Sequence, residues 1–241
     1  MKLSVITIVL NDPEGLKQTL ESLNIISDIN LESIVINGGN DKKTIEVIED
    51  YRHLISKIVN EEDYGVYDAM NKGIKLASGD VISFLNAGDV ALSNYSKDIL
   101  STISDNDYIY SGVNLISNNG KILKKIPKKL SNITEYLQRM PFSHPGLAVK
   151  SHCFKRIGHF NLKKTLTADH QWIVRLIDSD LKGIRGEFIN INFYLGGASM
   201  SIMSSFEMFQ TAKDSGRSII KCYIMLFYSI SVYFYYRIFN R

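Results

Sequence analysis

Clusters of carboxamide and carboxylate side chains recur along the first ninety residues, each directly after a short apolar run. Four clusters stand in this part of the sequence: Asn11-Asp12, Asn37-Gly38-Gly39, Glu61-Glu62-Asp63 and Asn86-Ala87-Gly88-Asp89. Their oxygens are ligands that hard divalent cations accept, and their amides hydrogen-bond to polar ligands. A further carboxylate, Asp169, stands at the start of a helix-like segment and has the chemistry of a proton acceptor. These residue types predict a site that binds a polar ligand and moves a proton.

The apolar runs before the four clusters predict strands that alternate with helices. Residues 3–10 form a continuous apolar run typical of a strand covered on both faces, and Asp12-Pro13 is an N-cap followed by proline at the first helical position. Further strands are expected at residues 31–36, 56–59 and 81–85, with helices at 12–23, 44–54 and 67–77. This alternation predicts an α/β fold whose mostly parallel, doubly wound sheet is flanked by helices.

All four clusters follow strands of this expected sheet. Ligands of such sheets bind beyond the carboxyl ends of the strands, so the clusters are predicted to meet at the edge where a nucleotide would sit. Polar loops also follow strands in proteins without such a site, so the placement favours a ligand site without establishing it.

After residue 90 the strict alternation fades. Residues 108–113 and 121–126 flank Ser117-Asn118-Asn119-Gly120, which indicates a hairpin; residues 169–177 predict a helix, and 188–195 a last strand. We expect one domain over residues 1–205 and a distinct C-terminal helical tail over 206–241.

Composition narrows the function classes. Of the 241 residues, 45% are apolar and 22% charged, which is typical of a globular protein with a core. The net charge of +3 is too small to indicate nucleic-acid binding, and no nucleic-acid partner is expected. Cys153 and Cys222 fit no metal or redox spacing, which favours a reducing compartment.

Taken in order, the motifs resemble glycosyltransferase family 2, of the GT-A type. The resemblance rests on Leu3-Ser4-Val5-Ile6-Thr7 leading to Asn11, on the eleven residues from Asp63 to Gly73, and on Phe84-Leu85-Asn86-Ala87-Gly88-Asp89. It continues through Ser143-His144-Pro145, Ala168-Asp169-His170 and Gly196-Gly197-Ala198-Ser199, and so covers roughly residues 3 to 200. Within the family, the sequence is similar to the subgroup that builds colanic acid, amylovoran and related exopolysaccharides. The resemblance implies a Rossmann-like GT-A fold, with a nucleotide-binding half at 1–90 and an acceptor half at 91–205.

The resemblance also implies roles for individual residues. It implies a catalytic base at Asp169 and a Mg²⁺ or Mn²⁺ ligand at Asp89, in the slot of the family's D-x-D motif, where only Asp89 keeps a carboxylate. Contacts to the donor or substrate are implied for Ile8, Asn11, Asn37, Asp63, Asp68, Asn71, Asn86, His144 and Gly197. Asn37 replaces the aspartate that most members place against the nucleotide base, which leaves the base open.

Structural roles stay open for the same residues. Asp63 can belong to a solvated turn, Asn71 can cap a backbone group, and Asp89 and Asp169 can be helix or turn caps. A lone histidine such as His144 is more often structural, and Gly197 can belong to a plain turn.

The tail and a lysine cluster suggest contact with a membrane. Residues 219–239 are strongly apolar and rich in tyrosine, and no acidic residue follows Asp214, whereas Arg217, Lys221, Arg237 and Arg241 are basic. This pattern predicts a helix lying on an anionic leaflet; spanning the bilayer and packing on the domain stay alternatives. Lys121, Lys124, Lys125, Lys128 and Lys129 form either a solvated face or a contact for lipid phosphates.

We therefore predict an inverting transferase that uses a nucleoside-diphosphate sugar and a divalent cation. The expected acceptor is a glycan or a polyprenyl-diphosphate-linked acceptor, in bacterial surface polysaccharide assembly at the cytoplasmic face of the inner membrane. Two alternatives remain: a sugar nucleotidyltransferase, against which the Asn11–Gly15 segment offers no glycine-rich basic loop, and a catalytically inactive, membrane-associated binding protein. The missing first aspartate of the metal motif favours the latter.

Overall fold

A nine-stranded sheet organises the part of the chain that the computed structural model describes. The structure describes residues 1–26, 30–117, 120–130, 140–194 and 201–239, with the backbone alone at 232, 233 and 235–239. The strands are β1 (Leu3–Val9), β2 (Leu31–Asn37), β3 (Lys57–Asn60), β4 (Val81–Phe84), β5 (Val90–Ala91), β6 (Tyr108–Ile116), β7 (Ile122–Lys125), β8 (Leu147–Lys150) and β9 (Gly183–Tyr194). The helices are α1 (Pro13–Ile26), α2 (Lys42–Asp50), α3 (Val66–Leu76), α4 (Tyr95–Ile103), α5 (His152–Ile157), α6 (Ala168–Asp178), α7 (Ile202–Asp214) and α8 (Ile219–Phe239).

The sheet is mixed, so the prediction of a mostly parallel sheet is wrong. Its order is β3-β2-β1-β4-β8-β6-β9-β5, with β7 paired to the edge of β6. The first four strands are parallel, as the alternation predicted. Beyond them, β8 runs antiparallel to both β4 and β6, while β9 is parallel to β6 and antiparallel to β5. Two successive strands can pair in parallel only through a long crossover, usually a helix. The segment between β6 and β7 is too short for such a crossover, and the two strands therefore pair antiparallel.

Most elements expected from the sequence are present, with shifted ends. The helix expected at 44–54 ends as α2 at Asp50 and continues as a separate 3₁₀ turn, Arg52–Leu54. The last strand, β9, begins at Gly183, five residues before the predicted start at 188. The β6–β7 hairpin is confirmed. The sequence did not predict β5, β8, α4 or α5.

Helices cover both faces of the sheet because side chains alternate along β1. Ile6 and Ile8 lie in a core with Tyr67 of α3 and Trp172 of α6. Leu3 and Val5 face the other way, into a core shared with α4. The two faces therefore bring different helices to the carboxyl ends of the same strands.

A buried carboxylate fixes the opposite, amino-terminal edge. Glu32 of β2 is 2% exposed and accepts hydrogen bonds from Ser4 Oγ (2.5 Å), Ser78 Oγ (2.6 Å) and Ser78 N (2.8 Å). Lys57 Nζ lies 3.1 Å from its Oε1. Burial by itself raises the pKa of Glu32, but these hydrogen bonds outweigh it and lower the pKa to about 2. The network joins β1, β2 and the turn before β4.

The last two helices pack against α6 and against each other. Val174 of α6, Ala212 of α7 and Cys222 of α8 share a small core, and the rings of Phe209 and Tyr223 are 5.0 Å apart. The predicted domain boundary at residue 205 falls inside α7. Several large apolar side chains of α8 are exposed: Ile219, Ile220, Tyr223, Ile224, Phe227, Tyr228 and Phe234. Within the described ranges, no helix combines the length and the apolar content that crossing a bilayer requires.

Candidate active site

The carboxyl ends of β1 and β2 meet at a glycine loop. Asn11 has a left-handed backbone (φ 50°), and its Oδ1 accepts a hydrogen bond from Asp41 N at 3.2 Å. A Cβ at Gly39 would lie 2.2 Å from Asn11 Oδ1, so only glycine allows this approach. The Asn11 side chain therefore lies against the backbone that follows β2.

The side chain of Asn37 hydrogen-bonds to the backbone of this loop from its buried side. Its side chain is fully buried; Oδ1 accepts from Gly39 N (3.1 Å), and Nδ2 donates to Gly39 O (3.1 Å) and to Asn60 Oδ1 (2.8 Å). These bonds occupy both ends of the amide and tie β2 to β3. A contact of Asn37 with the nucleotide base stays a prediction.

Asp63 reaches the same loop from the segment before α3. Its Oδ1 accepts from Gly65 N at 2.9 Å. A Cβ at Gly38 would lie 1.7 Å from Asp63 Oδ2, so the carboxylate rests on the backbone of Gly38. Asn11 and Asp63, 52 positions apart in sequence, are thus both seated on the Gly38-Gly39 loop.

The first turns of α3 carry a small charged network. Asp68 Oδ2 accepts from Tyr64 N (3.2 Å) and lies 3.5 Å from Lys72 Nζ, which also pairs with Glu61 (3.0 Å). Beside this network, Tyr64 is 95% exposed. An exposed aromatic ring at a sheet edge offers a stacking surface, and the sequence had not singled it out.

Asn71 and Ile8 make packing contacts. Asn71 Nδ2 donates to Phe160 O and its Oδ1 accepts from Phe160 N, both at 3.0 Å, so the amide clamps that backbone onto α3. The Ile8 side chain is 7% exposed and lies in the core, while its carbonyl accepts from Ala87 N at 3.0 Å. Donor contacts by these two residues stay predictions.

The turn after β4 is held by Asp89. Asp89 is 3% exposed, and its Oδ2 accepts from Asn86 N at 2.9 Å. Burial raises the pKa of this carboxyl to about 7. Gly88 N donates to Gly15 O at 2.9 Å, which fastens the turn to α1. Asn86 Oδ1 is buried without a hydrogen-bond partner among the described residues, so an acceptor at this edge is still to be satisfied.

The residues present do not fit a preformed cation site. A cation is held by ionised, accessible oxygens, whereas Asp89 is buried and its one bonded oxygen caps the turn. The parts of the chain that the structure describes contain no group of three His, Cys, Asp or Glu side chains placed to hold a metal. Ligation of a metal by Asp89 stays a prediction.

Asp169 stands in the first turn of α6 and contacts α3. The Tyr67 hydroxyl donates to Asp169 Oδ1 at 2.8 Å. Burial, followed by the charge of Asp169, raises the pKa of Tyr67, so the phenol stays protonated and keeps donating. A residue of the Asp63–Gly73 block thereby holds the predicted base in place.

His144 lies beside this pair. Its ring stacks on Phe84 (centroids 5.3 Å apart) and meets Phe160 edge-on at 6.1 Å. Burial lowers the pKa of His144, and the nearby charge of Asp169 opposes that shift. A neutral imidazole packed on aromatic rings agrees with a structural role, and a substrate contact stays a prediction.

Asp89 and Asp169 lie beside different hydrophobic cores. Burial raises the pKa of Tyr95, which lies in the core under α4, and the nearby charge of Asp89 adds to that shift. Asp169 contacts Tyr67, which lies in the core under α3 and α6. Gly197 lies outside the described residues.

Two residues near Asp169 went unnoticed in the sequence. Tyr67 stands inside the eleven-residue block, so its position in the motif could have suggested a role. Glu207 of α7 accepts five hydrogen bonds from residues 165–167, directly before Asp169. No local pattern marks Glu207, because its partners are some forty positions away.

Comparisons with known proteins show which family the chain is similar to. The family model described as "Glycosyl transferase family 2" matches residues 4–170. An uncharacterized glycosyltransferase of Methanocaldococcus jannaschii is 29% identical over 191 residues, which are 74% of this chain and 66% of that protein. A PGL/p-HBAD biosynthesis glycosyltransferase of Mycobacterium tuberculosis is 25% identical over 212 residues, 83% of this chain and 80% of that protein.

Solved structures agree on the fold. S. aureus TarS in complex with UDP superposes with a TM-score of 0.66 at 16% identity, over 94% of this chain and 70% of that one. The mannosyltransferase PcManGT of Pyrobaculum calidifontis, in complex with GDP-Man and Mn²⁺, gives a TM-score of 0.68 at 12% identity, over 93% of this chain and 69% of that one.

Proposed function

Because the chain belongs to glycosyltransferase family 2, a family of transferase enzymes, we propose that it moves a sugar from a nucleoside-diphosphate donor to a glycan acceptor with inversion at the anomeric carbon. The observation that carries the proposal is the 2.8 Å hydrogen bond from Tyr67 to Asp169. It joins the Asp63–Gly73 block, on the expected donor side, to the start of α6, on the expected acceptor side.

Asp169 acts as the base in this proposal. Oδ1 is held by Tyr67, and Oδ2 takes the proton of the acceptor hydroxyl as that oxygen attacks the anomeric carbon. The new C–O bond forms while the bond to the diphosphate oxygen breaks, and the nucleoside diphosphate leaves with the electron pair. A single displacement of this kind inverts the anomeric configuration, and it needs no second carboxylate as nucleophile.

The donor binds at the carboxyl ends of β1, β2 and β4. Asn11 and Asp63 flank the Gly38-Gly39 loop there, and Asn86, whose buried Oδ1 has no hydrogen-bond partner among the described residues, follows β4. The structurally similar proteins TarS, in complex with UDP, and PcManGT, in complex with GDP-Man, support a nucleotide-sugar donor, whose base is uracil in the first complex and guanine in the second.

A divalent cation is a weaker part of the proposal. The Mn²⁺ in the PcManGT complex favours it, whereas the buried Asp89 does not, and no step of the mechanism above uses a cation.

The acceptor is proposed to be a lipid-linked glycan, with the enzyme bound at the cytoplasmic face of the bacterial inner membrane in surface polysaccharide assembly. Two surfaces support membrane contact. The exposed apolar side of α8 is one, and the other is the β7 segment, where Ile122, Leu123 and Ile126 are more than half exposed among the lysines of the cluster.

A nucleotide screen followed by a transfer assay tests the proposal. The melting temperature is measured with UDP, GDP, CDP and dTDP, with and without Mn²⁺, because a ligand bound only by the folded state stabilises it. One nucleotide is expected to raise the melting temperature above the others, and its sugar derivatives then serve as donors. Nucleotide binding without transfer to any glycan acceptor would favour an inactive binding protein instead. Absence of any nucleotide effect would contradict the donor site.

A further inference from the structure

The carboxylate of Glu207 gathers the segment that precedes Asp169. Its Oε1 accepts from Thr165 N (3.0 Å) and Thr165 Oγ1 (2.9 Å). Its Oε2 accepts from Leu166 N (3.1 Å), Thr167 N (2.9 Å) and Thr167 Oγ1 (2.9 Å). Three consecutive residues thus donate to a single side chain of another helix, which fixes the backbone two residues before Asp169.

This arrangement differs from an ordinary helix cap. Thr167 occupies the N-cap position of α6 but makes no side-chain bond to the α6 backbone, and its hydroxyl donates to Glu207. Glu207 supplies the negative charge near the amino-terminal end of α6, where the helix dipole favours it. Burial opposes ionisation of Glu207, but the hydrogen bonds from the Thr165 and Leu166 backbones and the Thr167 side chain hold its pKa below the usual range.

Glu207 is itself anchored. Its backbone carbonyl accepts from Lys164 Nζ and from Thr211 Oγ1, each at 3.1 Å, and α7 packs on α6 through Ala212 and Val174. Asp169 is therefore held from two sides: Tyr67 bonds its carboxylate, and Glu207 fixes the backbone that leads to it.

We infer that Glu207 is a positioning residue for Asp169, so that α7 belongs to the catalytic unit although the sequence assigns it to the tail. The inference rests on the proposed role of Asp169 as base. Removing the Glu207 carboxylate leaves backbone N–H groups of residues 165–167 without their acceptor, and the first turn of α6 then loses its fixed position.

The first test needs no substrate. Hydrogen exchange by mass spectrometry is compared for the wild type, Glu207→Gln and the matched control Asp214→Asn, an exposed acid on the same helix. Glu207→Gln keeps one acceptor oxygen and places an amide donor against N–H donors, so exchange in residues 165–170 is expected to accelerate about tenfold or more. If exchange in residues 165–170 were the same in Glu207→Gln as in the wild type and in Asp214→Asn, the inference would be overturned.

The second test separates positioning from mere stabilisation. The value of kcat per folded enzyme is measured for Glu207→Gln, Asp169→Asn and the double variant, with the sugar nucleotide found in the screen. Glu207→Gln is expected to lower kcat about 10- to 100-fold with donor KM nearly unchanged, and to add little in the Asp169→Asn background. Glu207→Asp, which keeps both oxygens, should recover part of the loss.

The outcomes are distinguishable. An equal loss from Glu207→Gln in both backgrounds would mean that Glu207 does not act through Asp169, and it would overturn the inference. Full activity of Asp169→Asn would instead refute the proposed base, while the hydrogen-exchange result would still decide whether Glu207 holds the segment.

Discussion

At the scale of single residues, the proposed chemistry rests on the carboxylate of Asp169 and on the hydroxyl of Tyr67 that bonds to it. The sequence singled out Asp169 by its type and by its place at a helix start, and that place is confirmed by α6 beginning at Ala168. It could not identify Tyr67 as the partner, because the two residues are 102 positions apart and meet only through the packing of α3 on α6.

Replacing the base should abolish most of the transfer. Asp169→Asn keeps the shape and the acceptor for Tyr67 but cannot take a proton, so kcat is expected to fall about 10²- to 10⁴-fold with nucleotide binding intact. Steady-state kinetics and nucleotide titration measure the two effects, and Asp178→Asn, at the far end of α6, is the control. A kcat within twofold of the wild type would contradict the role.

The burial of Asp89 predicts how the stability of the folded protein depends on pH. The folded state raises its pKa to about 7 from a usual value near 3.9, so the folded state holds the proton more tightly than the unfolded state does. Its favourable contribution is complete below about pH 4 and is lost as the pH rises through about 7.

Asp89→Asn keeps an acceptor for Asn86 N and removes the ionisation. The variant is therefore expected to be more stable than the wild type by roughly 2 to 4 kcal/mol at pH 8 and nearly equal to it at pH 4. Urea unfolding at both pH values measures this, with exposed Asp105→Asn as the control. A destabilised variant at pH 8 would mean that Asp89 is ionised and paired in the folded protein.

Other polar residues have structural partners that their types do not reveal. The amides of Asn37 and Asn71, whose ligand contacts stay predictions, bind the loop backbone, Asn60 and Phe160. An amide that binds a ligand and one that closes a loop look alike in sequence, because only the fold decides which partner is near.

At the scale of elements, the glycine loop after β2 is the sharpest feature. Gly38→Ala would place a Cβ 1.7 Å from Asp63 Oδ2, so the carboxylate must move. If Asp63 and this loop seat the donor, nucleotide affinity should fall about tenfold or more. Calorimetric titration measures it, and Asn40→Ala, an exposed change in the same loop, is the control. Equal affinities for the two variants would place the donor elsewhere.

Glu32 supports the opposite end of the same strands. Glu32→Gln weakens the bonds from Ser4, Ser78 and Lys57, and it should cost roughly 2 to 4 kcal/mol of unfolding free energy at pH 7. Because the folded state lowers the pKa to about 2, the contribution is present above about pH 4.3 and disappears as the pH falls towards 2.

Denaturant unfolding at pH 7 and at pH 3 measures this difference. Glu46→Gln, on the exposed side of α2, is the control. A difference between the wild type and Glu32→Gln that did not shrink at the lower pH would contradict the role given to the ionised network.

The alternation of strands and helices was readable up to residue 90 because apolar runs there alternate regularly with helical segments and end at turn signals. The strands β5 and β8 lie outside that alternation, and their antiparallel pairing depends on neighbours far away in the chain. The mixed half of the sheet was therefore beyond what the pattern could predict.

At the scale of the whole molecule, α7 contacts the segment before Asp169 and packs on α8, which carries an exposed apolar surface. The sequence predicted the helix of residues 219–239 but not that α7 would bond to the segment before Asp169. Contacts between distant helices depend on how the whole chain folds, and no periodicity records them.

Membrane contact is the prediction at this scale. The protein should sediment with vesicles containing phosphatidylglycerol and much less with phosphatidylcholine alone, because apolar burial and basic charge act together. Replacing Ile220, Ile224 and Phe227 of α8 by serine should abolish most of this binding without unfolding the protein, since all three are more than 60% exposed. Ile25→Ser, at an exposed site on α1, is the control. Undiminished binding by the triple variant would assign the contact to another surface.

The stereochemistry of the first product tests the central claim most directly. Transfer by the wild-type enzyme is followed by NMR, and the one-bond C1–H1 coupling constant of the new glycosidic linkage is compared with that of the donor sugar. A single displacement assisted by Asp169 predicts the inverted anomer throughout the time course. A product with the donor's anomeric configuration would contradict the mechanism, because it requires a second displacement or a different route.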